Sequence, residues 1–377
     1  MTIGAAVEPV RPADEATARR DERRILGVAC GAHALHDGYT DLVWVALPIW
    51  QAEFGLSYAV VGLLRTVYSG TLAGLSSGFA LLVLALFLGG LGAATQHPIG
   101  SALVTHAFSG ARSLKAFGTY NFAGDVGKVL LPAIATSLLL ILPWRPAYTL
   151  LGLAGIIAAI VIAVLTPRVA PEPQTEAAEL SLAARGEDHS ARRSGFRILV
   201  LFGVADSVVR GGFFVCLPFL LIGKGAAVTT AGFALTLVFI GGAAGKLACG
   251  WIGNWLGNVA TIVICQTLAS IGLVVILLLP LHLSLIVLPF LGLVLNGVTT
   301  IIYGSVPDYA APERRTHLLS VVYTISIGAS AAAPPAAGFV GDLIGIPSTV
   351  LGVAALTLAT IPCAFLLKEP HRRTATG

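Results

Sequence analysis

Apolar residues gather along this chain in long runs broken by short polar stretches, and the pattern holds from residue 25 almost to the C-terminus. About 20 such residues are what an α-helix needs to cross roughly 30 Å of hydrocarbon. Runs of this kind fall at 25–50, 79–107, 114–142, 144–166, 196–222, 228–251, 258–280, 283–305, 316–340 and 346–367, each predicting a spanning helix. A shorter run, Tyr58–Gly74, has 17 residues and stands at the lower limit for a span. The pattern predicts an all-α polytopic membrane protein of about ten full spans and one stub.

Composition agrees, and it excludes a soluble enzyme: 56% of residues are hydrophobic and only 11% charged, against about 25% charged in an ordinary globular domain. Charge placement then sets the orientation. Of 23 Lys and Arg, 17 fall in the N-tail, at Arg112/Lys115, in the 166–197 stretch, at Arg314/Arg315 and in the C-tail. All five stretches are therefore expected on the cytoplasmic side. Between the N-tail and Arg112 the chain must cross an even number of times, which 25–50 and 79–107 satisfy. The stub at 58–74 is then re-entrant or packed in the outer leaflet.

The expected organisation is a cytoplasmic N-tail (1–24) and an N-terminal transmembrane half (25–166), then a proline-rich, mixed-charge cytoplasmic loop (167–195). A C-terminal six-helix half (196–367) and a cytoplasmic C-tail (368–377) follow. Ile25–Trp50 is too long for the apolar region of a cleavable signal. Cys30, Cys216, Cys249, Cys265 and Cys363 sit in apolar runs without C-x-x-C spacing, so they read as packing residues. A net charge of +4 calls for no nucleic-acid partner, and no G-x-x-x-x-G-K-[ST] phosphate loop is present. No cofactor is expected.

Two short matches suggest an internal repeat. Val45-Ala46-Leu47-Pro48 resembles Val215-Cys216-Leu217-Pro218 at an offset of 170, and Arg112, Tyr120 and Pro132 match Arg315, Tyr323 and Pro335 at 203. Paired halves of this kind are a plan of many secondary transporters. The jump from 170 to 203 leaves the first half short by 33 residues, about one helix plus its loop.

The chain resembles the major facilitator superfamily, and within it the fosmidomycin-resistance group of efflux proteins. The likeness rests on His33-x-x-His36-Asp37, Gly55-Leu56-Ser57 followed by Val61-Gly62-Leu63-Leu64-Arg65, Gly89-Gly90-Leu91-Gly92 through Gln96-His97-Pro98, and Asn296-Gly297 through Tyr303-Gly304-Ser305-Val306-Pro307. The resemblance implies a monomeric two-half bundle in the plasma (inner) membrane with both termini cytoplasmic. It also implies a central cavity opening alternately to each side, and export of a small molecule driven by proton entry. Two departures stand out. The superfamily's G-x-x-x-D-R-x-G loop between helices 2 and 3 is absent, and its second-half counterpart survives only as a loop at Gly245–Gly253 without the acid–arginine pair.

Candidate chemistry lies in the ionisable residues inside spans, which cost roughly 2.5–3.5 kcal/mol each and so mark sites of function. His33, Asp37 and Asp41 are four residues apart and share one stripe of the first helix, with His36 beside it. The stripe admits three readings: proton coupling and substrate binding, a structural polar patch, or a metal site of two His and two Asp. His97, just before Pro98, is either a substrate-site residue in a broken helix or a hydrogen-bonded packing residue. Asp125 with Lys128, and Asp206 with Arg210, each read as a pair that neutralises itself or as an ion-pair switch. Arg65 either snorkels to headgroups or, as the resemblance implies, lies beside the cavity to hold an anion. Gly118, Gly124 and Gly127 allow close helix approach around the first pair.

The expected function is a proton-coupled exporter of a small anionic or amphipathic compound. The alternatives are a degenerate, non-transporting membrane protein that binds a ligand or partner, and a metal-ion transporter.

Overall fold

The computed structural model of the protein describes residues 12–67, 76–93, 96–108, 111–166, 189–309 and 315–367. The described residues form thirteen helices and no strand. In chain order they are α1 (Pro12–Phe54), α2 (Tyr58–Val67), α3 (Phe79–Ala93), α4 (Gln96–Ala107), α5 (Ala111–Leu138), α6 (Trp144–Leu165), α7 (His189–Gly223), α8 (Val228–Leu256), α9 (Asn258–Leu278), α10 (Leu281–Tyr309), α11 (Arg315–Ile344), α12 (Ile346–Ala359) and α13 (Ile361–Phe365). Seven stretches among them are long and apolar enough to cross a membrane: α6, α7, α8, α9, α10, α11 and the α12–α13 unit. α1 and α5, at 43 and 28 residues, reach that length too but carry the buried charges that lower their hydropathy. The chain is the all-α polytopic bundle that its hydrophobic pattern predicts.

Several boundaries differ from expectation for local reasons. α1 begins at Pro12 and α7 at His189, so helix continues past the apolar runs into polar sequence. The tail and inter-half boundaries at 24 and 195 are therefore limits of hydrophobicity, not of helix. The span expected over 79–107 is described as α3 and α4, and residues 94–95 between them lie outside the described residues. The loop expected at Gly245–Gly253 is also helical, because α8 continues to Leu256. The actual turn is Gly257, whose φ of 94° suits glycine alone without strain. Most of the inter-half segment and the C-tail lie outside the described residues.

Close crossings hold the helices together, and glycine makes them possible. α1 packs along α5, α8 along α10, α7 along α11, and the two halves meet where α5 packs on α8 and α2 on α11. A Cβ on Gly127 would overlap the carbonyl of Ala34, and one on Gly38 would lie 2.6 Å from the carbonyl oxygen of Gly127. The same holds for Gly62 against the Pro334 carbonyl, and for Gly241 and Gly245 against the carbonyls of Pro289 and Leu293. Small residues at such seams let backbones touch where lipid supplies no hydrophobic drive.

The stub is anchored as well as packed. Asp342 of α11 accepts hydrogen bonds from the backbone N–H groups of Tyr58 (2.7 Å) and Ala59 (2.8 Å), capping the free donors of α2 from another helix. At the adjoining C-terminal end of α1, Trp144 donates to Glu53 (2.5 Å) and Arg145 pairs with Glu53 (2.6 Å), and further back along the helix the buried Tyr148 hydroxyl donates to the Leu42 carbonyl (2.9 Å). These bonds set α6 against α1. The five cysteines are free thiols, of which Cys249 and Cys265 touch with sulfurs 3.5 Å apart.

Gly118, grouped with Gly124 and Gly127 by sequence, meets nothing within 4 Å and takes no part in the seam. Gly127→Ala is therefore expected to destabilise the protein by about 1–3 kcal/mol through overpacking, whereas Gly118→Ala is neutral or slightly stabilising. Thermal unfolding of the two variants in detergent checks this contrast.

Candidate functional site

Asp37 is the centre of the site. Steps of four residues put His33, Asp37 and Asp41 on one face of α1, and all three are buried against the neighbouring helices. The Asp37 Oδ2 atom lies 3.2 Å from Lys128 Nζ of α5 and 3.4 Å from His33 Nε2. Its Oδ1 atom lies 3.6 Å from His97 Nε2 of α4 and 3.9 Å from His36 Nε2. One carboxylate thus gathers groups from three helices.

His33 is oriented from behind. Its Nδ1 donates to the backbone carbonyl of Tyr120 at 2.8 Å, and its ring stacks on the Tyr120 ring with centroids 4.1 Å apart. A carbonyl only accepts, so Nδ1 carries the proton and Nε2 is the atom turned to Asp37. That contact is attractive when Nε2 carries a proton as well. His97 meets the rings of His33 and His36 edge-on, at 5.0 Å and 4.7 Å. Gly124 of α5 leaves the room, since a Cβ there would lie 2.6 Å from Asp37 Oδ2 and 2.8 Å from His33 Nε2.

One turn further, Asp41 accepts from Trp44 Nε1 at 2.9 Å and lies 3.6 Å from Arg65 Nη2 of α2. The Arg65 guanidinium stands 4.4 Å over the Trp44 ring, a cation–π contact that leaves it facing the helix-1 acids.

The expected Asp125–Lys128 self-pair does not form. Lys128 goes to Asp37, and Asp125 accepts from Lys246 of α8, across the boundary between the halves. The reason is packing: the α1–α5 crossing at Gly38 and Gly127 brings a buried carboxylate within reach of Lys128. Asp206 and Arg210 do pair along α7, with Nε to Oδ2 at 3.0 Å, and Arg210 Nη2 lies 3.4 Å from Ser207 Oγ.

Some contributors were not singled out as site residues from the sequence. Lys246 looked like part of a loop, although a lone cation inside an apolar helix carries the same insertion cost that marked α1. Tyr120, Trp44 and Tyr323 carry no charge, so no such cost betrays them. Tyr323 of α11 lies 6.0 Å from the His97 ring and 5.7 Å from Tyr303 of α10, centroid to centroid, and Tyr303 is hydrogen-bonded to Ser326. Through Tyr323 the second half reaches the histidine cluster of the first.

The donor atoms of His33, Asp37 and His97 lie within 4.8 Å of one another and could hold a metal ion. The Lys128 ammonium already occupies the cation's place on the same carboxylate oxygen that His33 faces. The positive charge of Lys128 there opposes a divalent cation on the same carboxylate.

Two segments of the chain, residues 69–205 and 199–377, match the family described as Major Facilitator Superfamily. The chain belongs to the Major Facilitator Superfamily. Membership points to a transporter rather than an enzyme. A protein of Cupriavidus pinatubonensis (strain JMP 134 / LMG 1197), named "Probable 4-methylmuconolactone transporter", is 27% identical over 293 residues. That match covers 76% of this chain and 66% of the relative, so the chain spans just under two thirds of the relative's length. The fold is similar to crystal structures of a bacterial homologue of the human lysosomal transporter Spinster. The inward-facing, occupied form gives a TM-score of 0.71 at 15% identity over 95% of this chain and 97% of that one. The inward-facing, unoccupied form gives 0.63 at 16% identity over 92% and 95%.

Within this superfamily bundle, the Asp125–Lys246 pair is a direct electrostatic tie between halves. A double-mutant cycle of Asp125→Asn and Lys246→Gln is expected to give a coupling energy of about 0.5–3 kcal/mol in thermal unfolding, with each single variant less stable than the double. A coupling near zero would mean that the pair is screened by water and holds nothing.

Proposed function

We propose that the protein is a proton-coupled secondary transporter that exports a small anionic or amphipathic compound. The observation that carries this reading is Asp37, a buried carboxylate touched by His33, His36, His97 and Lys128 from three helices. Such a group binds a proton only by giving up part of its ion pairing. Protonation of Asp37 releases Lys128, which lies one helical turn from Asp125 on α5. Lys128 then competes with Lys246 for Asp125, loosening a contact between the halves. Proton entry is in this way converted into a change of preference between cavity orientations. Asp41, paired with Arg65, is the second carboxylate of the same relay.

In this reading the tails (1–24 and 368–377) and the inter-half loop (167–195) lie in the cytoplasm, with the halves at 25–166 and 196–367 in the inner membrane. Support for a small organic cargo comes from the name of the C. pinatubonensis relative. Support for export and drug resistance comes from the fosmidomycin-group motifs. A second reading, a degenerate relative that binds without cycling, is favoured by the 33-residue shortfall of the first half between its two repeat matches.

Proteoliposomes under an imposed pH gradient distinguish these readings, with 4-methylmuconolactone as the trial cargo. Gradient-driven flux is expected for the native chain and should fall to the protein-free background in an Asp37→Asn/Asp41→Asn variant. Undiminished flux in that variant would remove the coupling role. Absence of flux in the native chain, regained when about 33 residues from a full-length relative are restored between α1 and α4, would favour the degenerate reading.

A further inference from the structure

We propose that Arg210 anchors the carboxylate of a small planar organic acid, and that Tyr303 and Tyr323 form the wall against which its conjugated plane lies. The inference rests on the transport reading above in one respect: it takes the space between the halves as the cargo's route.

Six cations lie outside the charged stretches that set orientation: Arg65, Lys128, Arg145, Arg210, Lys224 and Lys246. Arg145 is held by Glu53, and Lys224 donates to the carbonyls of Ile276, Leu277 and Leu279 around the C-terminus of α9. Lys128 and Lys246 meet Asp37 and Asp125 head-on, and Arg65 is shared between Asp41 and the Trp44 ring. Arg210 is bound differently. Its acid, Asp206, takes Nε at 3.0 Å, and a serine hydroxyl lies 3.4 Å from Nη2. Among the described residues Nη1 makes no hydrogen bond. The end-on edge formed by Nη1 and Nη2 is the one that grips a carboxylate through two parallel bonds, and here it is left over.

The Asp206 side chain is 1% exposed, while that of Arg210 keeps 23% of its surface accessible. The enclosed acid pins the guanidinium at Nε, and part of the guanidinium remains accessible. A planar fork pinned at Nε loses little further freedom when it binds, unlike a lysine on its flexible stem.

The aromatic wall belongs to the helices that α7 packs against. A Cβ on Gly203, on the same α7 face as Ser207 and Arg210, would lie 3.2 Å from Ser326 Oγ, one turn from Tyr323 in α11, and 3.5 Å from Ile302, next to Tyr303 in α10. The Tyr303 and Tyr323 rings are 5.7 Å apart, and the His97 ring meets Tyr323 at 6.0 Å from the first-half side. Flat π-surfaces reward flat ligands, and offset stacking adds to the area they bury. A carboxylate on Arg210 would set an attached ring against these tyrosines, with His97 near its far edge.

Binding to the purified full-length protein in detergent tests this, using isothermal titration calorimetry with benzoate, benzamide and acetate. Benzoate is expected to bind saturably. Benzamide, which has the same plane but no charge and one acceptor, should bind at least about 30-fold more weakly. Acetate, lacking the ring, should bind about tenfold more weakly than benzoate. Arg210→Lys keeps the charge but loses the fork, and should weaken benzoate by about tenfold or more. Tyr323→Leu should weaken benzoate while leaving acetate unchanged.

Equal affinity for benzoate and benzamide in the native protein would overturn the proposal without recourse to any variant that fails to fold. So would undiminished benzoate binding in Arg210→Lys, or no saturable binding of benzoate. Retained, arginine-dependent benzoate binding without flux in proteoliposomes would instead count against the transport reading and leave the anchor standing.

Discussion

A carboxylate enclosed among helices has to be answered by positive charge, and the site follows from how Asp37 is answered. Coulomb attraction between Asp37 and Lys128 at 3.2 Å draws α5 onto α1. That choice leaves Asp125 without the lysine one turn away on its own helix, and Asp125 takes Lys246 from the other half. A single pairing in the first half thereby dictates a contact across the molecule. Each lysine answers an acid on another helix, so the two pairs form one chain of charged contacts from α1 through α5 to α8.

The network exists only because the backbones approach closely. Gly38 and Gly127 let α1 and α5 touch, and Gly124 clears the volume that the His33 and Asp37 side chains fill. With larger residues the helices would stand farther apart and Lys128 could not reach Asp37. In a bilayer these seams also carry the cohesion, since apolar surface there gains little by leaving lipid. Packing and chemistry thus share the same residues, which leaves few positions at the α1–α5 crossing free to change.

The two halves are tied in different ways. α5 meets α8 through a lysine–aspartate pair, while α2 meets α11 through backbone contact at Gly62 and the Asp342 cap on Tyr58 and Ala59. The second tie holds α2 by its own backbone, and Arg65 of the same helix lies 3.6 Å from Asp41 of α1.

Hydropathy and charge counts were enough to read an all-helical membrane bundle, because burying an apolar run and leaving Lys and Arg outside it are local free-energy terms. The same reasoning found His33, Asp37, Asp41, His97, Asp125, Lys128, Asp206 and Arg210, since each carries its insertion cost wherever it points. The Asp206–Arg210 pair was legible too, both members lying on one helix at a spacing that forces them together. Partners on different helices were not. That Lys128 serves Asp37, that Lys246 serves Asp125, that Trp44 and Arg65 share Asp41, and that Tyr323 meets both His97 and Tyr303 were settled by helix crossings. The sequence by itself determined which residues had to find partners; only the tertiary structure decided which partners they found, because pairing energy depends on distances of 3–4 Å between elements that no local spacing encodes.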